Sequence, residues 1–351
     1  MTKQAYMTTQ IDLQDFITRA FVASGLDAKG AQTAANLMAR ADAIGQDGHG
    51  VFRLAQYIKR IQAGGINPAP RFKTLEDRAA TALVDGDNGL GHLVMHHATK
   101  LAMQKAETTG VAWVGVRNSN HAGPASLYAM MPLKKDMIGL YVAVASANHM
   151  PPWGGTTSLL GTNPIAVAIP SGANPPIVLD MATTVAAYGK VKTATQRGET
   201  MPEGWMIDQL GRAITDPSKA SDGFLLPIGG AKGYGLALIF GILAGTLNGA
   251  AFGRNVVDFN ADATTKTNTG QFILALDIKA FADPDVFRSG IDRVWDDMKS
   301  SDRLPGVEQI RIPGERLDRI RQDRAANGIP IPPALKTQLD ELATALNIKP
   351  L

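Results

Sequence analysis

Cysteine is absent from this 351-residue chain, which excludes disulfides, thiolate metal sites and cysteine nucleophiles. A marked excess of one charge is also missing. The 35 Lys and Arg stand against 32 Asp and Glu, for a formal net charge of +3. No block of five or six like charges occurs. The basic pI of about 9.0 therefore reflects scattered lysines and arginines and not a nucleic-acid surface. Aromatic residues make up 6% of the chain, too few and too dispersed for a base-stacking platform. The longest apolar run, Leu236 to Leu247, is broken by glycines and too short to span a bilayer. The first residues, Met1-Thr2-Lys3-Gln4-Ala5-Tyr6, lack the basic-then-apolar pattern of a signal peptide. These features predict a cytoplasmic protein with neither a membrane nor a nucleic-acid partner.

Several catalytic and nucleotide-binding signatures are missing as well. Each Gly-x-Gly (48/50, 89/91, 233/235) lacks the third glycine of a dinucleotide fingerprint, and no Gly-x-x-x-x-Gly-Lys-Ser/Thr occurs. No Gly-x-Ser-x-Gly marks a hydrolase nucleophile. There is no His-Glu-x-x-His, and the adjacent His96 and His97 face apart on a helix. No metal site is predicted. His92, His96 and His97 read as surface or satisfied core residues.

What is present divides the chain into three regions. Residues 1–70 read as a helical lobe, with amphipathic patterns over 9–24 and 27–43 and a third helix ending at Gly64-Gly65. Residues 71–300 alternate strand-like and helix-like segments, which indicates an α/β region. Strands are predicted at 80–85, 111–116, 138–145, 165–170, 177–180 and 272–277. Helices are predicted at 93–109, from about 124, over 181–195, 232–247 and 283–300. Residues 196–230 form a long Gly/Pro-rich excursion, a type of loop that tends to be functional. Residues 301–351 carry two further helices.

The stretch Gly45-Gln46-Asp47-Gly48-His49-Gly50-Val51-Phe52-Arg53-Leu54-Ala55-Gln56-Tyr57 packs three glycines into six residues. A helix beginning near Gly50 would set His49, Arg53 and Tyr57 four apart on one face. Such a face carries a proton exchanger, a carboxylate clamp and a phenol, although a solvated face behind a capping turn gives the same pattern. His121 follows a predicted strand within Arg117-Asn118-Ser119-Asn120-His121-Ala122-Gly123, where ligand crevices of α/β lobes often lie. Gly229-Gly230-Ala231-Lys232-Gly233-Tyr234-Gly235 opens a helix with a lysine at its start, which suits an anion. Pro313-Gly314-Glu315 opens another.

Together these stretches resemble the NAD(P)-dependent malate/L-lactate dehydrogenase family of non-Rossmann type, which also contains sulfolactate and ureidoglycolate dehydrogenases. The resemblance covers about residues 10 to 330. It is carried by His49-Gly50 with Arg53 and Tyr57, Arg117 to His121, Gly161-Thr162-Asn163-Pro164, Asp180-Met181-Ala182-Thr183, Pro202-Glu203-Gly204-Trp205, Thr215-Asp216-Pro217, Lys232-Gly233-Tyr234-Gly235-Leu236 and Pro313-Gly314-Glu315. It implies an α/β fold in which helices from both termini form one lobe beside a central mixed-sheet dinucleotide-binding lobe. It also implies a homodimer and hydride transfer between a 2-hydroxy acid and NAD or NADP. By the same resemblance, His49 and His121 are the proton donors or acceptors, and Arg53 holds the substrate carboxylate bidentately. Tyr57 and Asn163 line the substrate site. Ser146, Asp180, Met181, Ala182, Lys232, Pro313, Gly314 and Glu315 meet the cofactor. Lys190 stands where the cyclic-imine reductase branch has an acidic residue, which favours hydroxy acids. One departure stands out: the family serine before the histidine is Gly48 here. A cyclic imine-2-carboxylate reductase and a catalytically impaired NAD(P)-binding homologue are the alternative readings.

Overall fold

The computed structural model describes residues 5–351, apart from the side chains at 196 and 197. The chain opens with β1 (Tyr6–Thr8), α1 (Gln10–Ala23) and α2 (Ala28–Ala43). Both helices start on side-chain caps: Thr9 accepts from the Asp12 N–H and Asp27 from the Gly30 N–H. Leu13, Phe16, Ile17, Ala20 and Phe21 form one stripe of α1 and are buried. They share a core with Met38 and with Ala31, Ala34 and Ala35 of α2, and these alanines let the helices approach closely. Two short 3-10 turns, Asp47–His49 and Val51–Arg53, lead into α3 (Leu54–Gln62).

The centre is a seven-stranded sheet. Its elements in chain order are β2 (Lys73–Asp77), β3 (Thr81–Asp85), α4 (Gly91–Thr109), β4 (Val111–Ser119), α5 (Ser126–Ala129), β5 (Met137–Ala143), β6 (Ile165–Ile169) and β7 (Ile177–Met181). There follow α6 (Tyr188–Arg197), β8 (Met206–Asp208), β9 (Gly223–Leu225), α7 (Ala231–Ala244), β10 (Thr269–Asp277) and α8 (Pro284–Ser300). The strand order is β2-β3-β4-β10-β5-β6-β7. Only β3 and β4 run parallel, joined by α4; all other pairs are antiparallel. Successive residues of the central strands face opposite sides of the sheet and feed two cores. On β10, Ile273 packs in the core under α4 with Val84, Met95 and Val114. Its neighbour Phe272 packs on the opposite face with Val142, Val144 and Ala244.

The chain returns through α9 (Glu315–Asn327), β11 (Ile329–Ile331) and α10 (Pro333–Ala345). β11 pairs antiparallel with β1, and Ile329, Ile331, Leu339 and Ala343 join the core of α1 and α2. The helices of both termini thus form one layer beside a mixed sheet that is not doubly wound. No described helix is long and apolar enough to cross a membrane.

Several segments differ from their sequence reading. Residues 181–195 are not one helix: Met181 ends β7, residues 183–185 bond back to 226–228, and α6 starts only at Tyr188. The helix expected from Pro124 is a single turn, Ser126–Ala129. β2 carries no alternating pattern because all five of its residues are exposed at the sheet edge. The long excursion is ordered, with the β8–β9 hairpin and a small core of Val191, Met201, Met206, Ile214 and Leu225.

Candidate active site

The turn before α3 is set by a buried carboxylate. Asp42, 3% exposed, accepts the Val51 N–H at 2.7 Å. A Cβ on Gly50 would lie 2.1 Å from Asp42 Oδ1, so only glycine fits there. The backbone forms two 3-10 turns in place of an α-helix from Gly50. His49 is therefore not in line with Arg53 and Tyr57 on one helical face. Instead the side chains converge on His121. The His49 ring stacks on His121 with centroids 5.4 Å apart and planes 12° apart. Tyr57 Oη lies 2.5 Å from His121 Nδ1. The Gly123 N–H makes a longer bond, 3.4 Å, to the same nitrogen. Phe259 closes the cluster, 5.8 Å from Tyr57 and 5.6 Å from His121 by ring centroid.

Arg53 lies beside this cluster. Its Nε–H donates to Gly48 O (3.1 Å), and its Nη1 donates to Gln56 Oε1 (2.9 Å) and Asn260 Oδ1 (3.0 Å). Burial, and then the Arg53 charge, hold the His49 imidazole down to about 4. Burial and the neighbouring His49, Arg53 and His92 put His121 well below its ordinary range. Both rings are neutral at pH 7. Burial pushes the Tyr57 phenol up, so it stays protonated.

His92 is neither a surface nor a satisfied histidine. It is 0% exposed, its ring meets Tyr57 edge-on at 5.3 Å, and neither ring nitrogen has a partner among the described residues. Its Nε2 lies 2.9 Å from where a Cβ on Gly123 would stand. Burial, then His49, drives it down to about 3.

A second cluster lies along β7. The Val178 N–H donates to Pro313 O at 2.9 Å, and a Cβ on Gly314 (φ +95°) would lie 2.8 Å from the Val178 nitrogen. The Pro313-Gly314 turn therefore packs directly on the strand that carries Asp180 and Met181. Beyond Ala182, the Ile228 N–H bonds Thr183 O and the Val185 N–H bonds Leu226 O. This brings the glycine turn of α7 alongside. Gly229 and Gly230 have φ +56° and +66°, and Lys232 is exposed in the first helical turn. The Trp153 ring would lie 3.3 Å from a Cβ on Gly230. Trp153 also lines a cleft of about 430 Å³ between residues 151–156 and the β8–β9 hairpin.

The remaining sequence-predicted residues have specific neighbours. The Ser146 carbonyl accepts the Phe259 N–H at 2.9 Å, so Ser146 adjoins the histidine cluster. The Asp180 carboxylate accepts the Ser126 N–H at 2.9 Å, so its side chain is committed to α5. Glu315 accepts Lys299 Nζ at 2.7 Å on both oxygens and the Ile312 N–H at 3.0 Å. Asn163 is 0% exposed: its Oδ1 accepts the Ala145 N–H and its Nδ2 donates to Ala237 O. That is a scaffolding position, joining the end of β5 to α7, and not a ligand-facing one. Sequence reasoning missed Phe259 and Asn260, which lie outside any motif, and gave no role to Gln56, which lies between Arg53 and Tyr57. His92 was visible as one of six histidines, but only burial distinguishes it.

This architecture matches solved 2-hydroxy acid dehydrogenases. The sulfolactate dehydrogenase from Methanocaldococcus jannaschii superposes with a TM-score of 0.91 at 35% identity, over 98% of both chains. In sequence, the malate dehydrogenase of Pyrococcus abyssi is 36% identical over 97% of this chain and 95% of its own length. The ureidoglycolate dehydrogenase (NAD(+)) of Escherichia coli K12 is 32% identical over 91% of this chain and 90% of its own. The malate/L-lactate dehydrogenase model matches residues 9–340, and the chain belongs to that family.

Proposed function

We propose that this protein is an NAD(P)-dependent 2-hydroxy acid dehydrogenase, working in reverse as a 2-oxo acid reductase. The observation that carries this reading is the His121–Tyr57 bond, stacked beneath His49 and beside Arg53. Malate and sulfolactate, after which relatives are named, both carry a hydroxyl beside a carboxylate. That substrate needs a cation for the carboxylate and a base for the hydroxyl, and Arg53 and His121 are such a pair.

The residues along β7 fit a dinucleotide. The N–H groups without a side-chain cap and the lysine at the head of the 14-residue α7 suit a pyrophosphate, and the Gly314 and Gly230 backbones admit a close ligand. Asp180, Met181 and Ala182 offer backbone groups, and Ser146, whose carbonyl holds the Phe259 N–H, adjoins the histidines. A bound nicotinamide supplies or accepts the hydride.

The chain's own residues then handle the proton. For oxidation, His121 accepts the hydroxyl proton on Nε2, which requires its Nδ1–H to be donated to Tyr57 Oη. The long Gly123 bond opposes that tautomer only weakly. A neutral imidazole is the competent base, and burial keeps it neutral. For reduction, His121 first takes up a proton from solvent on Nε2 and gives it to the carbonyl oxygen as the hydride arrives. His49 borders the reacting position and excludes water from it. Arg53 fixes the carboxylate. A homodimer accords with this reading: Leu236 and Ile239 on α7, and Leu247 just beyond it, are 39%, 56% and 61% exposed, an apolar face that a second copy would cover.

Fluorescence titration with NADH and NADPH, followed by a panel of 2-oxo acids and a cyclic imine carboxylate, tests the reading. The expected outcome is binding of at least one reduced cofactor and its oxidation by a 2-oxo acid. Turnover of the imine alone, or cofactor binding with no turnover, would reject it.

A further inference from the structure

The guanidinium of Arg53 is largely committed before any substrate arrives. Of its five N–H groups, Nε–H goes to Gly48 O and the two on Nη1 go to Gln56 Oε1 and Asn260 Oδ1. Among the described residues, no acceptor faces Nη2. Both bidentate edges of the fork need either Nε or Nη1 in addition to Nη2, so the structure leaves a single nitrogen for a carboxylate.

The two acceptors that impose this are themselves held. Gln56 Nε2 donates to Asn260 Oδ1 and to Phe259 O, each at 3.1 Å. The Asn260 N–H donates to Asp258 Oδ1 at 2.8 Å. Behind them, Arg60 is 1% exposed and donates to the carbonyls of Thr265 (2.7 Å) and Asp262, with its guanidinium 4.6 Å over the Phe259 ring. Residues 259–265 are thus a fixed platform. One side of it touches His121 through Phe259, and the next residue, Asn260, orients Arg53.

We propose that Asn260 is a positioning and specificity residue: with Gln56 it turns Arg53 so that Nη2 alone meets the substrate carboxylate, while its neutral amide leaves the arginine charge uncancelled. This rests on the 2-oxo acid reading above. An amide oxygen accepts a hydrogen bond without neutralising its donor. A carboxylate in the same place would form a charge-assisted pair with Arg53 and compete with the substrate.

The test compares wild type with Asn260→Ala and Asn260→Asp. Calorimetry measures the binding of oxamate in the presence of NADH or NADPH, and steady-state kinetics use glyoxylate, pyruvate and oxaloacetate. Asn260 is exposed, so both variants should keep the wild-type melting temperature. The expected result is a rise of about 30-fold in oxamate Kd and oxo acid KM for the aspartate, and about fivefold for alanine, with kcat changed far less. A merely structural role predicts the opposite order, since aspartate is the closer shape. Equal binding in all three proteins, or alanine worse than aspartate, overturns the proposal alone. A wild type that reduces none of the three acids and binds no oxamate overturns the dehydrogenase reading and the proposal with it.

Discussion

The two ends of the site are made of different material. At the histidine end the working parts are side chains: His49 stacked on His121, Tyr57 bonded to its Nδ1, and Arg53 held by Gln56 and Asn260. At the β7 end they are mainly backbone: the positive-φ glycines 229, 230 and 314, and the carbonyl of Pro313 on the Val178 N–H. The difference teaches where each end is vulnerable. The first is broken by changing a functional group at constant shape. The second is broken by adding a Cβ, or by removing the lysine that reinforces the N–H groups.

Substitutions can sharpen that contrast. The largest effect is expected at Arg53. Arg53→Met keeps most of the side-chain bulk but removes the charge, and should raise the oxo acid KM by about 100-fold, read from steady-state kinetics, with cofactor affinity little changed. Next comes the acid sensitivity of the histidine end. His92 is fully buried and its pKa in the fold is about 3, against an ordinary value of 6.5. Because the folded pKa is depressed, the unfolded chain binds the extra proton, so stability is present above pH 6.5 and is lost as pH falls towards 3. At pH 5 this one imidazole costs about 2 kcal/mol. His92→Phe should therefore flatten the decline in denaturation midpoint between pH 7 and pH 5. An unchanged decline would show that His92 is not held neutral.

At the other end, Lys232→Ala should weaken reduced-cofactor binding by about tenfold in a fluorescence titration, and more weakly at high salt, because an exposed point charge is screened. The smallest effect is expected at Gly48. A Cβ there meets nothing within 4 Å, and its φ is not in the left-handed region. Gly48→Ser should fold with an unchanged melting temperature and shift kcat/KM by no more than about threefold, since only one exposed hydroxyl is gained. A larger shift would mean that the missing hydroxyl matters to the proton relay.

The residue types of the candidate site are legible in the sequence where they sit in a motif. His49, Arg53, Tyr57 and His121 were all visible as residue types, and the structure gathers them around one ring. The regular strands and helices are legible because α1 buries one stripe and β10 is an apolar run buried on both faces. Hidden features had physical reasons to be hidden. The 3-10 geometry of residues 47–53 depends on Asp42, a tertiary contact. β2 is an exposed edge with no alternation. Asn260 gains its role from an arginine 207 positions away, and no local pattern records that. Asn163 carried a motif's weight, yet its amide is used up inside the fold.

In the proposed mechanism His121 moves the proton while Tyr57 fixes its tautomer. The most direct measurement is the single-turnover rate of oxo acid reduction by His121→Gln, with reduced cofactor and oxo acid both saturating. Glutamine keeps a hydrogen-bonding side chain but cannot cycle a proton. The expected result is a loss of about 10³-fold relative to wild type, with cofactor affinity unaltered. A rate within a few-fold of wild type would contradict it and move the acid–base role to His49.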